Sequence, residues 1–530
     1  MTAACLDVDK LQAPMKATHA SGVNLTYEWR VEQLQKLYQM LISEREVMRE
    51  AMFLDLGRDP MEAICCETKQ VEREVLYALK SLKGWMKPQL VGSPAVMIPA
   101  ISKVERKPLN SPGVLIISPY NYPLQLCLRP LVGVLAGGNP SVIKPSEIAT
   151  NCSRVMKQMI EKYFDPGVVQ VVLGDVPVTT ALLEKPWAKV LFTGSCRVGS
   201  IVAQACGKTL TPTILELGGK TPVVVDESVS PSGLQSISNR IIFGKLINAG
   251  QTCISPDTLF VHESHCKALT KALVASIETQ FGKDQKKGEL GRIVNRQQTK
   301  RLIDLIRDAE EAPGSTIIHG GSKSCDVDTR YICPSLILNP PSGCRIMREE
   351  IFGPILPIIT FTSRDEAIQR IQDMDGEPLQ LYVFTESESI YTEYTNRCRS
   401  AASVRNDCMI QANSVHLPFG GLGSSGYGCY YGKYSFDAFT HCFPTVSRPI
   451  GSIWDLNGLR YHPYAGFKGK LIEEYAMDLP DIAVLHTRKL LMGMLLIGLA
   501  AIFPSISLCL KTSMADFLEV LAKILRKQCL

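Results

Sequence analysis

The chain has 530 residues, 45% of them hydrophobic and 21% charged, with a net charge of +5. That length holds two or three domains with a large core, and so mild a charge gives no clustered basic face for nucleic acid. The 18 cysteines form no C-x-x-C pair and the 8 histidines are scattered, so a zinc site is not expected and a reducing compartment is.

The N-terminus carries Asp7 and Asp9 and no apolar stretch, unlike a secretory or transit segment. Residues 26–56 and 61–83 read as amphipathic helices, with Leu34, Leu37, Met40 and Leu41 on one face. Residues 89–107 alternate like strand and form a candidate β arm. From Gly113 the pattern changes to strand–helix alternation, with apolar runs at 114–117, 141–144, 168–173, 190–192 and 214–216. Helix-length segments separate them, as a doubly wound parallel sheet requires. A second alternation has strands at 222–225, 258–261, 336–338, 356–361 and 379–384. The fold class expected is α/β: a Rossmann-like cofactor domain over 1–215 and a second α/β catalytic domain over 216–415. Residues 416–445 hold a glycine-dense loop and the rest of the arm, and 446–488 a lid or connector.

Leu490 to Leu510 is an uncharged run between Arg488–Lys489 and Lys511. As a helix it would span about 31 Å, the thickness of a hydrocarbon core, so a transmembrane anchor is expected over 489–511. Ser513 and Asp516 then open an amphipathic helix over 512–530 that suits a membrane surface. A span and a hairpin both remain open, since both flanks are basic.

Two segments carry the chemistry. Asn-Ala-Gly-Gln-Thr-Cys ends at Cys253, and Glu-Leu-Gly-Gly-Lys begins at Glu216, 37 residues upstream. A cysteine thiolate is a nucleophile, and a carboxylate beside a glycine-opened approach can serve as a base. Gly194-Ser195-Cys-Arg-Val-Gly199 follows a strand and opens a helix, so its amides can face phosphate. Lys144 and Glu147 sit at the end of a strand of the first sheet, where such a fold binds its ligand, and both can bond ribose hydroxyls.

Further segments occur in a telling order: Ser-Pro-Tyr-Asn-Tyr-Pro at 118–123, Lys-Pro-Ser-Glu at 144–147 and Phe-Thr-Gly-Ser at 192–195. Then come Glu-Glu-Ile-Phe-Gly-Pro at 349–354 and Leu-Pro-Phe-Gly-Gly-Leu-Gly-Ser-Ser-Gly at 417–426. Over residues 25–445 the chain resembles the aldehyde dehydrogenase superfamily, most closely its membrane-attached fatty aldehyde branch. The resemblance implies Cys253 as nucleophile, Glu216 as general base and Asn121 as oxyanion donor, with Asn406 in support. It implies that Lys144 and Glu147 hold the adenosine ribose of the cofactor, Glu350 the nicotinamide ribose, and that Phe352 contacts the nicotinamide side. The carboxylate at 147 disfavours a 2′-phosphate, so NAD is expected over NADP. The implied reaction is oxidation of fatty aldehydes to acids through a cysteine thiohemiacetal and thioester, with no metal. A homodimer is expected, anchored so that the catalytic domain faces the cytosol. Its rivals are a soluble dehydrogenase of short or aromatic aldehydes, a silent binding protein of the same fold, and an enzyme passing the acyl group to coenzyme A.

Overall fold

The computed structural model describes residues 6–93 and 100–451, with 97, 461–466, 469 and 473. The chain opens with helices α1 (Val8–Ser21), α2 (Tyr27–Ser43) and α3 (Arg45–Leu56). The single helix expected over 26–56 breaks at Glu44, whose φ of −103° and ψ of 15° leave helical geometry. Its carboxylate accepts from Lys162 Nζ at 2.5 Å and Tyr163 Oη at 3.0 Å, bonds made outside the helix. The second expected helix begins as a short turn at Pro60–Ala63, passes through a π-turn at Ile64–Thr68 and continues as α4 (Lys69–Trp85). Such π-turns are rare and favour functional sites.

The strands are β1 (Gln89–Val91), β2 (Ile101–Pro108), β3 (Val114–Ile117), β4 (Ser141–Lys144) and β5 (Val169–Val171). Then come β6 (Lys189–Gly194), β7 (Thr213–Leu217), β8 (Pro222–Val225), β9 (Thr258–His262), β10 (Thr316–His319) and β11 (Ser335–Leu338). Last are β12 (Ile355–Phe361), β13 (Leu381–Phe384), β14 (Ser403–Arg405), β15 (Gly426–Tyr427) and β16 (Thr440–Ser447). They form three sheets. One has six strands in the order β15-β7-β6-β3-β4-β5, parallel except for β15. A second has seven in the order β10-β11-β12-β9-β8-β13-β14, parallel except for β10. β1, β2 and β16 make the third. All four residues of β3, of β4 and of β8 are buried, as strands covered on both faces must be.

The six-stranded sheet starts at β3, steps outward to β4 and β5, and returns to β6 beside β3. The strand order therefore reverses between β3 and β6, and a crevice opens beyond their carboxyl ends. Helix α5 (Gln125–Ala136), buried along its whole length, follows β3 and backs this crevice. Each of its buried leucines contributes about 1.5–3 kcal/mol.

Two compact units emerge, Met1–Trp85 with Lys107–His441, and Met86–Arg106 with Cys442–Leu530. The expected boundary at 215/216 falls inside β7, whose pairing with β6 runs on to Leu217, so sheet membership changes over Gly218–Thr221 instead. β15 joins the six-stranded sheet, a helix at Gly432–Ala438 follows it, and the three-stranded sheet takes only the strand from Thr440 on. Among the described residues no helix is long and apolar enough to cross a membrane. The expected anchor at 489–511, the tail at 512–530 and most of the connector lie outside the described residues.

Candidate active site

Cys253 follows a helix that ends at Leu246. The chain leaves it through Asn248, Ala249 and Gly250, at φ of 53°, 51° and 73°. Two successive non-glycine residues in the left-handed region are strained, and such strain persists only where neighbours over-determine it. They do so here. Asn248 Nδ2 donates to the carbonyls of Asn121 (2.8 Å) and Gln251 (3.0 Å), and its amide donates to Glu62 (2.8 Å). Gln251 is tied in turn to the Val294 amide at 3.0 Å and the Arg292 carbonyl at 3.0 Å. Tyr382 Oη donates to the Ile254 carbonyl at 2.7 Å. A Cβ on Gly250 would meet the Gly353 carbonyl at 2.3 Å, so only glycine lets the 349–354 loop close on this turn.

Burial pushes the Cys253 thiol up to about 12; the carboxylates of Glu350 and Glu216 add to that, and the amides of Cys253 and Ile254 oppose it. Glu216, 2% exposed on β7, has no hydrogen-bond partner on either oxygen among the described residues. Burial alone holds its pKa well above the carboxylate range, so the carboxyl keeps its proton more tightly than an exposed one. A lone buried carboxyl of this kind is costly and marks chemistry more often than architecture. Asn121 leaves the end of β3, is 3% exposed, and donates one amide hydrogen to the Gln251 carbonyl at 3.0 Å. Its second hydrogen is free to serve a ligand.

Glu350 lines the same cavity and is pushed up to about 8 by burial and then by Asp257, against the Gly219 amide, Lys220 and Arg301. Its carboxylate lies where a Cβ on Gly218 would be, 2.2 Å away. Its loop is fixed by a buried pair, Lys220 and Asp257. Lys220 also donates to the carbonyls of Ile346 (2.9 Å) and Glu349 (3.1 Å), and Asp257 accepts the Ile351 amide (2.9 Å). Phe352, at φ 53°, meets the Tyr120 ring edge-on at 6.0 Å.

One cavity of about 700 Å³ joins Asn121, Gly194, Ser195, Glu216, Cys253, Glu350 and Phe352. It includes the mouth of the β3/β6 crevice, where Tyr120 and Thr193 also line it. Ser195 caps the helix at Cys196–Lys208, and Gly199 inside that helix packs against Leu217, which a Cβ would strike at 2.5 Å. Lys144 at the end of β4 holds Glu147 at 2.6 Å, the glutamate 40% exposed on its side chain. The buried, unpartnered Thr193 hydroxyl and the glycine-lined helix start fit a dinucleotide: hydroxyl and amide donors for phosphate, and an ion pair for ribose. Lys144, Glu147 and Gly199 do not line the cavity itself. Nor does Asn406, which bonds the backbone of Thr385 through both ends of its amide and so joins β13 to β14.

Several residues were not singled out from sequence. Arg58, Glu62 and Glu67 lie behind the site, Tyr430 and Tyr431 on its wall, and Cys65 and Cys66 on the π-turn at its edge. The one available signal was Arg58, a charge in a four-residue link between two helical patterns.

Residues 2–443 match the family model described as the aldehyde dehydrogenase family. The 4,4'-diaponeurosporen-aldehyde dehydrogenase of Staphylococcus aureus is 42% identical over 414 residues, 78% of this chain and 88% of that protein. The human aldehyde dehydrogenase family 3 member B1 is 38% identical over 456 residues, 86% and 94% of the two chains. A solved substrate-bound state of Staphylococcus aureus AldH superposes with a TM-score of 0.83 at 38% identity, covering 88% of this chain and 99% of its own. The family match runs through both large sheets and every strand that places Cys253, Glu216 and Asn121. The chain therefore belongs to the aldehyde dehydrogenase family, with family 3 members among its relatives, and is an oxidoreductase of aldehydes that uses NAD(P).

Proposed function

We propose that this enzyme oxidises long-chain aliphatic aldehydes to carboxylic acids with NAD, by covalent catalysis at Cys253. The carrying observation is the wall of the cavity beyond Cys253, which is built from Leu126, Phe243, Ile247, Ile254, Met409 and Ile410. An apolar wall of this kind favours a hydrocarbon chain over a charged or sugar-like aldehyde.

The Cys253 thiol gives its proton to water, and the thiolate attacks the carbonyl carbon. The new oxyanion is held by the free Asn121 amide hydrogen and the Cys253 backbone N–H, each such donor being worth about 3–4 kcal/mol of barrier. When bound, NAD supplies the two-electron oxidation by taking the hydride from that carbon. Cys253 is left carrying the acyl group as a thioester. Glu216 takes a proton from water, the water oxygen bonds the acyl carbon, and the carbon–sulfur bond breaks to free the acid and restore the thiolate. A raised pKa makes Glu216 a strong base once ionised. Lys144 and Glu147 would hold the adenosine ribose, Gly194 and Ser195 the phosphates, with Gly199 letting their helix pack against Leu217, and Glu350 and Phe352 the nicotinamide end. The partly exposed Glu147 carboxylate would repel a 2′-phosphate, which supports NAD over NADP.

A C-terminal anchor is supported by the sequence of 490–510, and with it a membrane-held enzyme whose catalytic part faces the cytosol. Homodimerisation is supported by the apolar side chains left exposed on the three-stranded sheet, Leu90 (71%), Ile101 (59%) and Val446 (56%).

The test is NADH formation from straight-chain aldehydes of increasing length, with and without coenzyme A, by the full chain in detergent. kcat/KM rising to the longest soluble aldehydes, with no need for coenzyme A, is the expected result. A maximum at short or aromatic aldehydes would overturn the substrate class. Cys253→Ala should abolish turnover and leave NADH binding intact; retained turnover would overturn the covalent route.

A further inference from the structure

Asn121 and Cys253 belong to different loops, and no sheet ladder runs between them. Asn121 follows β3, while Cys253 ends a strained turn. A hydrogen bond to a developing oxyanion works only if the two are held in register, so something must fix their separation.

Arg58 occupies that place. Its side chain is fully buried, a costly state for a guanidinium that its partners must offset; Nε makes no hydrogen bond and lies 3.4 Å from a Glu62 carboxylate oxygen. Nη2 donates to the Asn121 carbonyl at 2.6 Å and to Asn248 Oδ1 at 2.6 Å, while Nη1 donates to Glu67 at 2.5 Å. The guanidinium also lies 4.8 Å from the centre of the Tyr122 ring. Glu67 in turn accepts the amides of Leu124 (3.1 Å) and Gln125 (2.6 Å). The segment 121–125 is thus gripped at both ends by one arginine–glutamate pair. Asn248 completes the ring: it accepts from Arg58 and donates to the carbonyls of Asn121 and Gln251, the second of which also receives the Asn121 side chain. Outside the ring, Tyr122 Oη and Thr252 Oγ1 share a further bond at 2.8 Å.

We propose that Arg58 is a positioning residue for aldehyde oxidation: through Asn248 and the Asn121 carbonyl it sets the Asn121 amide against the Cys253 loop. It is absent from the cavity wall and touches no reacting atom. Its planar fork spans three acceptors at once, which a lysine ammonium cannot do with the same geometry. The cofactor residues on β4 and β6 make no bond to this ring, so its loss acts on acylation and leaves dinucleotide affinity alone.

The inference rests on the roles proposed for Cys253 and Asn121, and the test separates the two. Arg58→Lys, Asn248→Gly and Asn121→Ala are measured for the pre-steady-state rate of NADH formation, NADH affinity by fluorescence, and melting temperature. Asn248→Gly suits the left-handed backbone and keeps the guanidinium, so it carries the test should Arg58→Lys not fold. The expected result is a roughly 10- to 100-fold slower acylation in the folded variants, with NADH affinity within about twofold of wild type. In the Asn121→Ala background the second substitution should add little, because it acts through that amide. Wild-type acylation in folded Arg58→Lys or Asn248→Gly, or a full additive loss on top of Asn121→Ala, would overturn the proposal. Wild-type acylation in Asn121→Ala alone would instead overturn the oxyanion role on which it rests.

Discussion

Glu67 and Glu216 are both almost completely hidden from water, and their surroundings are opposite. Around Glu67, both oxygens are engaged, by Arg58 and by the amides of Leu124 and Gln125. Around Glu216 nothing donates, and burial alone governs the group. Burying a carboxyl costs about the same in either place before compensation. At Glu67 Arg58 and the two amides oppose the burial, which still holds the group above its ordinary range, and the group serves architecture. At Glu216 the cost is left standing in the folded protein, and it appears as basicity available to a reaction.

The contrast breaks first at Glu216. Glu216→Gln should slow steady-state turnover by about 10²- to 10⁴-fold while a stoichiometric burst of NADH survives, with a melting temperature at or above wild type. Loss of the burst as well would place Glu216 in the first half of the reaction. Glu67→Gln should do the reverse: it takes from buried Arg58 its nearer counter-charge and leaves only Glu62, 3.4 Å from Nε, costing about 3 kcal/mol of stability, read as a lower urea midpoint. An unchanged midpoint would erase the distinction between the two sites.

The pH dependence of stability sharpens it further. In the unfolded chain Glu216 ionises near its ordinary value, whereas in the folded chain it keeps its proton to a much higher pH. Between those limits the unfolded state binds fewer protons, so stability falls as pH rises, by up to about 1.4 kcal/mol per unit for one group. Glu216→Gln removes this loss, so the variant should gain on wild type from pH 5 to pH 8. A constant difference in chemical denaturation across that range would mean that Glu216 is already ionised in the folded state. The smallest effect belongs to the solvent-facing member of the series. Glu147→Ser should narrow the ratio of NAD to NADP affinity by a few fold, about 1 kcal/mol, with little change in stability. Equal losses with both cofactors would make Glu147 structural only.

Much of the frame was legible before any coordinates. The apolar runs at 114–117, 141–144 and 222–225 coincide with β3, β4 and β8, because fully buried parallel strands leave uninterrupted hydrophobic stretches. The motif order groups Asn121, Glu216, Cys253 and Glu350, and the four line one cavity. What sequence could not give was partnership. Glu67 and Glu216 look alike in a string of letters, and only the fold decides which one meets an arginine. Arg58 and Asn248 lie 190 positions apart, so no local pattern joins them. The antiparallel strands β10 and β15 also escaped notice, since each is short and bounded by glycine or polar residues.

β15 has a consequence for biosynthesis. Its Gly426 pairs with Glu216, at φ 121° and with no room for a side chain, since a Cβ would strike the Leu215 carbonyl at 1.9 Å. A ribosome delivers β7 some two hundred residues before the strand that covers its edge. Until then the six-stranded sheet presents an open edge at the very strand that carries Glu216, a template for pairing with other chains. Catalytic competence and protection from aggregation therefore arrive together, late in synthesis, and a nascent chain stopped before residue 426 has neither.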